Sequence, residues 1–326
     1  MSAPRLAALS LAVLLVVGWA CGGGGGGPAA APSPAPPAPA VAPAPPPRPV
    51  VRVARAHGTD LHFVERGRGI PVVLVHGTLG TLDSWQPQID AFATRFRVIA
   101  YSRRYHPPNA TQPDGQDYAL SLHADDLIAF IEALGLERAH LVGSSYGAYV
   151  ALVVTLRRPD LVRSLVLAEP PILPWLGRTP EGDALRRAFE ANVQAAARRA
   201  FARGDSVEAV RRYLDGESGR PGRFDALPVA SRQALMHLAF ELSLELRAEP
   251  DIYVPALACK PVGQIRNPVL LVAGERSPEW FHVITEELAR CLSAEEMVTV
   301  PGAGHSPNAD NAPFYNAAVL RFLMKN

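Results

Sequence analysis

Cysteine is scarce in this chain, with three among 326 residues. That is too few for a disulfide-built scaffold, and none of the three stands in a Cys/His spacing that holds zinc. No glycine-rich loop runs into a lysine, so the phosphate cradle of a nucleotide site is missing as well. An excess of one charge is also lacking. Thirty-two Lys and Arg face 31 Asp and Glu, a net +1, which leaves no basic footprint for nucleic acid. The apolar run from Leu6 to Trp19 is too short to cross a bilayer comfortably. These absences leave a protein with no implied metal or cofactor, whose expected partner is a small molecule.

The first 50 residues stand apart in composition. Arg5 precedes the apolar run, and Gly18, Trp19 and Ala20 lead to Cys21 and six glycines. A short apolar stretch ending in small residues fits a signal peptide over 1–20. With a cysteine at the cut and a flexible run after it, the segment resembles a bacterial lipoprotein leader, although Gly18 and Trp19 depart from the usual residues before the cysteine. The resemblance implies lipidation of Cys21, a membrane tether, and a catalytic domain held in the periplasm or outside the cell. Plain secretion by the same cut is the alternative. Pro28 to Pro49 is a Pro/Ala tract without apolar periodicity, so 21–50 reads as a spacer. Once Cys21 is set aside, Cys259 and Cys291 remain as a pair that an oxidising compartment could join or leave free.

From Val51 onward, short apolar runs alternate with helical patterns. Strands are expected at Val51–Ala56, Leu61–Val64, Pro71–Val75, Phe96–Tyr101, Ala139–Val142, Val162–Ala168, Pro268–Ala273 and Met297–Val300. Helices are expected at Trp85–Thr94 and Tyr118–Leu134, the second stopped by Gly135. Such alternation calls for a mostly parallel sheet with helices on both faces. Between Pro171 and about Lys260 it stops. That block is rich in Ala, Arg, Leu and Glu and reads as helices alone, for example Asp183–Arg203 and Ser231–Arg247.

Gly143-Ser144-Ser145-Tyr146-Gly147 joins the fifth strand to a helix. A G-x-S-x-G turn between strand and helix is so sharp that its flanking residues must be small, and it lifts the central hydroxyl clear of the sheet. His76-Gly77-Thr78 follows the third strand. Pro301-Gly302-Ala303-Gly304-His305 follows the last. In this order and spacing the sequence resembles the α/β-hydrolase superfamily from Val51 to Asn326. The resemblance implies an α/β-hydrolase sheet with a helical cap, about 171–260, inserted after the sixth strand.

It also implies roles for particular residues. Ser145 is the expected nucleophile and His305 its base. The expected oxyanion hole is formed by the backbone N–H groups of Thr78 and Tyr146. The third member is a choice between carboxylates. Where many relatives place Asp after the seventh strand, this chain has Gly274-Glu275-Arg276-Ser277. Some members place the acid at the end of the sixth strand, where Glu169 stands. Glu169 is the first choice, Glu275 the second and Glu279 the third. His76 is expected to orient the oxyanion loop. Trp85 and Tyr146 are expected in packing, and Arg103 and Arg104 in structural ion pairs. The function expected is cleavage of an ester, thioester or lactone through an acyl-enzyme. Carbon–carbon bond hydrolysis, cofactor-free haloperoxidase-like chemistry and non-catalytic ligand binding are the alternatives.

Overall fold

The structure is a computed structural model and describes residues 50–115, 117–292 and 295–326. The expected signal peptide, Cys21 and the tether lie outside those residues. Eight strands form one sheet: β1 Val51–Ala56, β2 Thr59–Arg66, β3 Pro71–Val75, β4 Arg97–Tyr101, β5 Ala139–Ser144, β6 Val162–Ala168, β7 Val269–Gly274 and β8 Glu295–Val300. Their spatial order is β1-β2-β4-β3-β5-β6-β7-β8. The two contacts of β2 are antiparallel and the remaining five pairings are parallel. This is the mostly parallel sheet that the alternation of elements called for.

The central strands are apolar on both faces because both faces are covered. In β3, Val73 and Val75 enter one core while Val72 and Leu74 enter the other. In β7, Leu271 and Leu270 divide in the same way. The period of two along each strand thus feeds two separate cores. The first is closed by α2 Leu120–Ala133 and α3 Tyr146–Arg157, together with the helix Glu279–Cys291 (α12). The second is closed by α1 Gln86–Phe92 and α14, the C-terminal helix Ala312–Lys325.

Between β6 and β7 the regular elements are all helices. After the 3₁₀ segment Leu173–Arg178 come α4 Pro180–Phe189, α5 Ala195–Ala202, α6 Ser206–Glu217 and α7 Arg223–Ala226. Then follow α8 Val229–Met236, α9 Ala239–Arg247, α10 Pro250–Tyr253 and α11 Cys259–Val262. The insertion lies where the change in composition placed it. Its helices differ in detail from the expected ones. The Asp183–Arg203 pattern starts earlier, at Pro180, because the Thr179 hydroxyl accepts the Gly182 N–H and caps the helix. A π-turn over Glu190–Gln194 then divides it. There Val193 packs against the bare backbone of Gly216, where any added Cβ would strike its side chain. The Ser231–Arg247 pattern is likewise broken at His237 and Leu238.

Beyond β7, α12 Glu279–Cys291 leads to β8, and α13 Pro307–Asp310 precedes α14. Cys259 and Cys291 form a disulfide that ties the end of the cap to α12.

Candidate active site

Six strands, β3 to β8, run parallel in one direction, so their carboxyl ends share one edge of the sheet. The register puts Val75 beside Gly143, Ser144 beside Ala168, and Ala168 beside Val272. The residue after each strand end therefore arrives in the same place. His76 and Gly77 follow β3, Ser145 follows β5, Glu169 follows β6, and His305 follows β8.

The turn at Ser145 is as tight as its glycines implied. A Cβ on Gly143 would collide with the backbone of Ala148, and one on Gly147 with the carbonyls of Val75 and His76. Ser145 itself has φ 52° and ψ −126°, a conformation that L-residues rarely adopt. The strain is held by the Ser145 N–H bonded to the Ala168 carbonyl at 2.8 Å and by the start of α3. Glu169 is also in the left-handed region, with φ 50°. Two strained residues on neighbouring strand ends mark this edge independently of any motif.

Three side chains line up here. The Ser145 hydroxyl lies 3.0 Å from Nε2 of His305. Nδ1 of His305 lies 2.7 Å from Oε2 of Glu169. Oε1 of Glu169 accepts the Gly274 N–H at 2.7 Å, so the carboxylate is fixed at both oxygens. A carboxylate beside Nδ1 calls for the proton on Nδ1, which leaves Nε2 to accept from the serine. Ser145, His305 and Glu169 are 7%, 6% and 0% exposed. Phe281 of α12 stacks on the imidazole, with centroids 3.7 Å apart and planes 14° apart, and holds the ring's orientation.

Glu275 is not part of this arrangement. It is exposed, and its carboxylate accepts the Gly302 N–H at 2.7 Å. Glu279 is exposed in the first turn of α12. Ser277 is buried at the position where many relatives carry the acid.

The loop that follows β3 is braced from behind. His76 Nε2 accepts the Arg103 N–H at 2.9 Å, and its Nδ1–H donates to the Gly77 carbonyl at 2.8 Å. Burial, and then the neighbouring His106, hold its pKa well below the usual range, so the ring is the neutral tautomer that these partners require. Arg103 is buried and donates to the carbonyls of His76 and Gly77. Arg104 pairs with the buried Asp126. Both arginines are structural. Tyr146 is the first residue of α3, so the helix offers its N–H no partner. Its hydroxyl donates to the Tyr253 carbonyl, and its ring stacks on Tyr253 at 4.8 Å. Trp85 is almost wholly buried and lines the cavity over the site.

A cavity of about 710 Å³ opens over Ser145 and His305. Its floor includes Gly77 and Thr78, and its roof is the cap, which contributes Leu214, Glu217, Leu227, Leu235 and Leu238. The roof is mainly apolar, with one carboxylate close to the histidine. Glu217 Oε1 lies 3.6 Å from His305 Nε2, with its side chain 12% exposed. Burial alone would lower the pKa of His305. The bond to Glu169 and the contact with Glu217 outweigh it and raise the pKa to about 9. Behind Glu217, two more cap carboxylates are sealed. Glu241 meets His106 and the Tyr118 hydroxyl, and Glu245 meets the hydroxyls of Tyr213 and Tyr253. None of these cap residues stands out in the sequence, since each is one Glu among many on an amphipathic helix.

The α/β-hydrolase fold family model matches residues 70–312, and the chain belongs to that family. A curated relative, the putative carbamate hydrolase RutD of Agrobacterium fabrum, is 25% identical over 272 residues, which cover 81% of this chain and 98% of the relative. The 2-(acetamidomethylene)succinate hydrolase of Mesorhizobium japonicum is 29% identical over 278 residues, covering 81% and 91%. Among solved structures, the carboxylesterase CesB (YbfK) of Bacillus subtilis superposes with a TM-score of 0.67 at 20% identity, over 86% of this chain and 93% of that one. That likeness concerns the fold alone. The protein is an α/β hydrolase whose relatives are named for the cleavage of several kinds of bond.

Proposed function

We propose that this protein is a serine hydrolase that cleaves a carboxylic ester, thioester or lactone through an acyl-enzyme. The observation that carries the reading is the aligned set of Ser145 Oγ, the two nitrogens of His305 and the carboxylate of Glu169, at 3.0 and 2.7 Å. Neutral His305 takes the Ser145 proton as Oγ attacks the carbonyl carbon. The imidazolium then points its Nδ1–H at Glu169, which holds the ring and balances its charge. The negative charge that develops on the carbonyl oxygen falls to the N–H groups of Thr78 and Tyr146. His305 Nε2–H next protonates the leaving oxygen or sulfur, and the acyl group remains on Ser145. A water molecule, deprotonated by the same nitrogen, returns the serine and releases the acid. The apolar roof suits an acyl or leaving group with hydrocarbon character. Relatives named for carbamate and acetamido substrates make the C–N bond of such groups the nearest competitor to the ester bond.

Treatment with a fluorophosphonate, followed by peptide mass spectrometry, tests the reading. A phosphonyl adduct on Ser145, absent in Ser145→Ala, is expected together with turnover of p-nitrophenyl esters. A folded protein left unlabelled would remove the serine-hydrolase reading and favour ligand binding.

We further propose that the enzyme works in a bacterial envelope, tethered through Cys21. The Cys259–Cys291 disulfide supports an oxidising compartment. Cys21→Ser is expected to move esterase activity from the membrane fraction to the soluble one. Equal partition of the two proteins would reject the anchor.

A further inference from the structure

Glu217 stands at the nitrogen of His305 that does the chemistry. It is the last residue of α6, in the cap, and its Oε1 lies 3.6 Å from Nε2, the atom that also faces Ser145 Oγ at 3.0 Å. Glu169, by contrast, holds Nδ1 on the far side of the ring. The imidazole therefore lies between two carboxylates contributed by different parts of the fold. Phe281 stacks on its face and prevents it from turning away.

The two protonation states of the ring respond differently to this position. In the neutral tautomer, Nε2 presents a lone pair, and a carboxylate facing a lone pair gains nothing. In the imidazolium, Nε2 carries a proton that both Ser145 Oγ and Glu217 attract. Glu217 thus favours the form of His305 that cannot accept the serine proton. The cavity wall shields the contact, so the attraction is screened less than at the surface.

We propose that Glu217 is a positioning residue carried by the cap. It retains the proton on His305 Nε2 while the cap is closed, so the readiness of the base depends on the cap as well as on the sheet. This deepens the serine-hydrolase reading and rests on it. Other charged or titratable groups near the cavity are Arg223 of α7, Asp83, His76 and His237, which line its walls, and Tyr213 and Glu245 of the cap, which feel the charge of Glu217. Asp310 is engaged with the Gly304 N–H at 2.9 Å. Burial opposes the charged ring, and Glu169 and Glu217 are the two groups that favour it, raising its pKa to about 9. Glu169 belongs to the machinery and cannot be removed without loss. Glu217 can be neutralised on its own.

The test compares full-length wild type, Glu217→Gln and Glu217→Asp by two independent readings. NMR titration of the His305 ring, assigned with His305→Ala, reports the proton directly. The rate of fluorophosphonate labelling of Ser145 against pH reports the base at work. In Glu217→Gln the His305 midpoint is expected to fall by about one pH unit or more. Labelling at pH 7 should then rise by about tenfold or more, because one unit changes the unprotonated fraction about tenfold well below the midpoint. Glu217→Asp, which keeps the charge but draws it back, should fall between the two. An unmoved midpoint in Glu217→Gln would overturn the proposal, as would a labelling rate lowered equally at every pH. A shifted midpoint without labelling in either protein would leave the hold of Glu217 on His305 intact and would reject the serine-hydrolase reading instead.

Discussion

Glu169 at the sheet edge and Glu245 in the cap are both sealed from solvent, yet their partners differ in kind. Glu169 is met by the Gly274 N–H and the His305 Nδ1–H. An N–H cannot reverse its role and accept, so this carboxylate is held as an acceptor at both oxygens. Glu245 is met by the hydroxyls of Tyr213 and Tyr253, with Glu241 one helical turn away. Hydroxyls can donate or accept, and a neighbouring carboxylate disfavours a second charge. Burial, and then Glu241, push Glu245 up to about 8, so it keeps its proton at neutral pH. The sheet surrounds one acid with fixed N–H donors, whereas the cap packs acids that compete. Precision at the strand ends comes from backbone register, which a helical insertion does not share.

The largest loss is expected at Glu169. Glu169→Gln retains volume and one acceptor oxygen but removes the charge that balances the imidazolium. A fall in kcat of about 10⁴-fold, with unchanged circular dichroism, is expected. Glu275→Gln, changed at the exposed loop, should cost less than about tenfold. Equal losses in the two variants would mean that the sheet-edge environment has no special claim on the acid.

A smaller effect sharpens the cap side. The folded-state pKa of Glu245, about 8, lies above the ordinary value of 4.5. Between these values the folded protein holds a proton that the unfolded chain releases, so stability falls as pH rises through that window, and the loss is complete above about 8. Glu245→Gln has no proton to lose. Its melting temperature relative to wild type should rise between pH 5 and pH 9, by the equivalent of roughly 1 kcal/mol or more. A difference that stays constant with pH would show that Glu245 is ionised in the fold.

Much of the sheet was legible in the chain because its signals are local. Pro71–Val75 is apolar throughout, so it had to be covered on both faces. Gly143 and Gly147 flank Ser145 because no larger residue fits there. Glu169 drew attention through its place at the end of the sixth strand, where some members of the superfamily the chain resembles carry the acid, while the positive φ that aims its carboxylate left no mark in the sequence. The helical character of the cap was equally plain from its composition, but its internal breaks were not. The π-turn at Glu190–Gln194 answers to Gly216 on another helix.

The succession of strands, turns and candidate groups along the chain follows from local signals, since period, turn chemistry and motif spacing are properties of neighbouring residues. The packing of distant segments placed Glu169 rather than Glu275 beside His305, joined Cys259 to Cys291 and brought Glu217 to within 3.6 Å of His305. Those outcomes depend on distances between segments far apart in the chain. Such distances are set by how the strands register and how the cap closes over them, and no short stretch of residues encodes them.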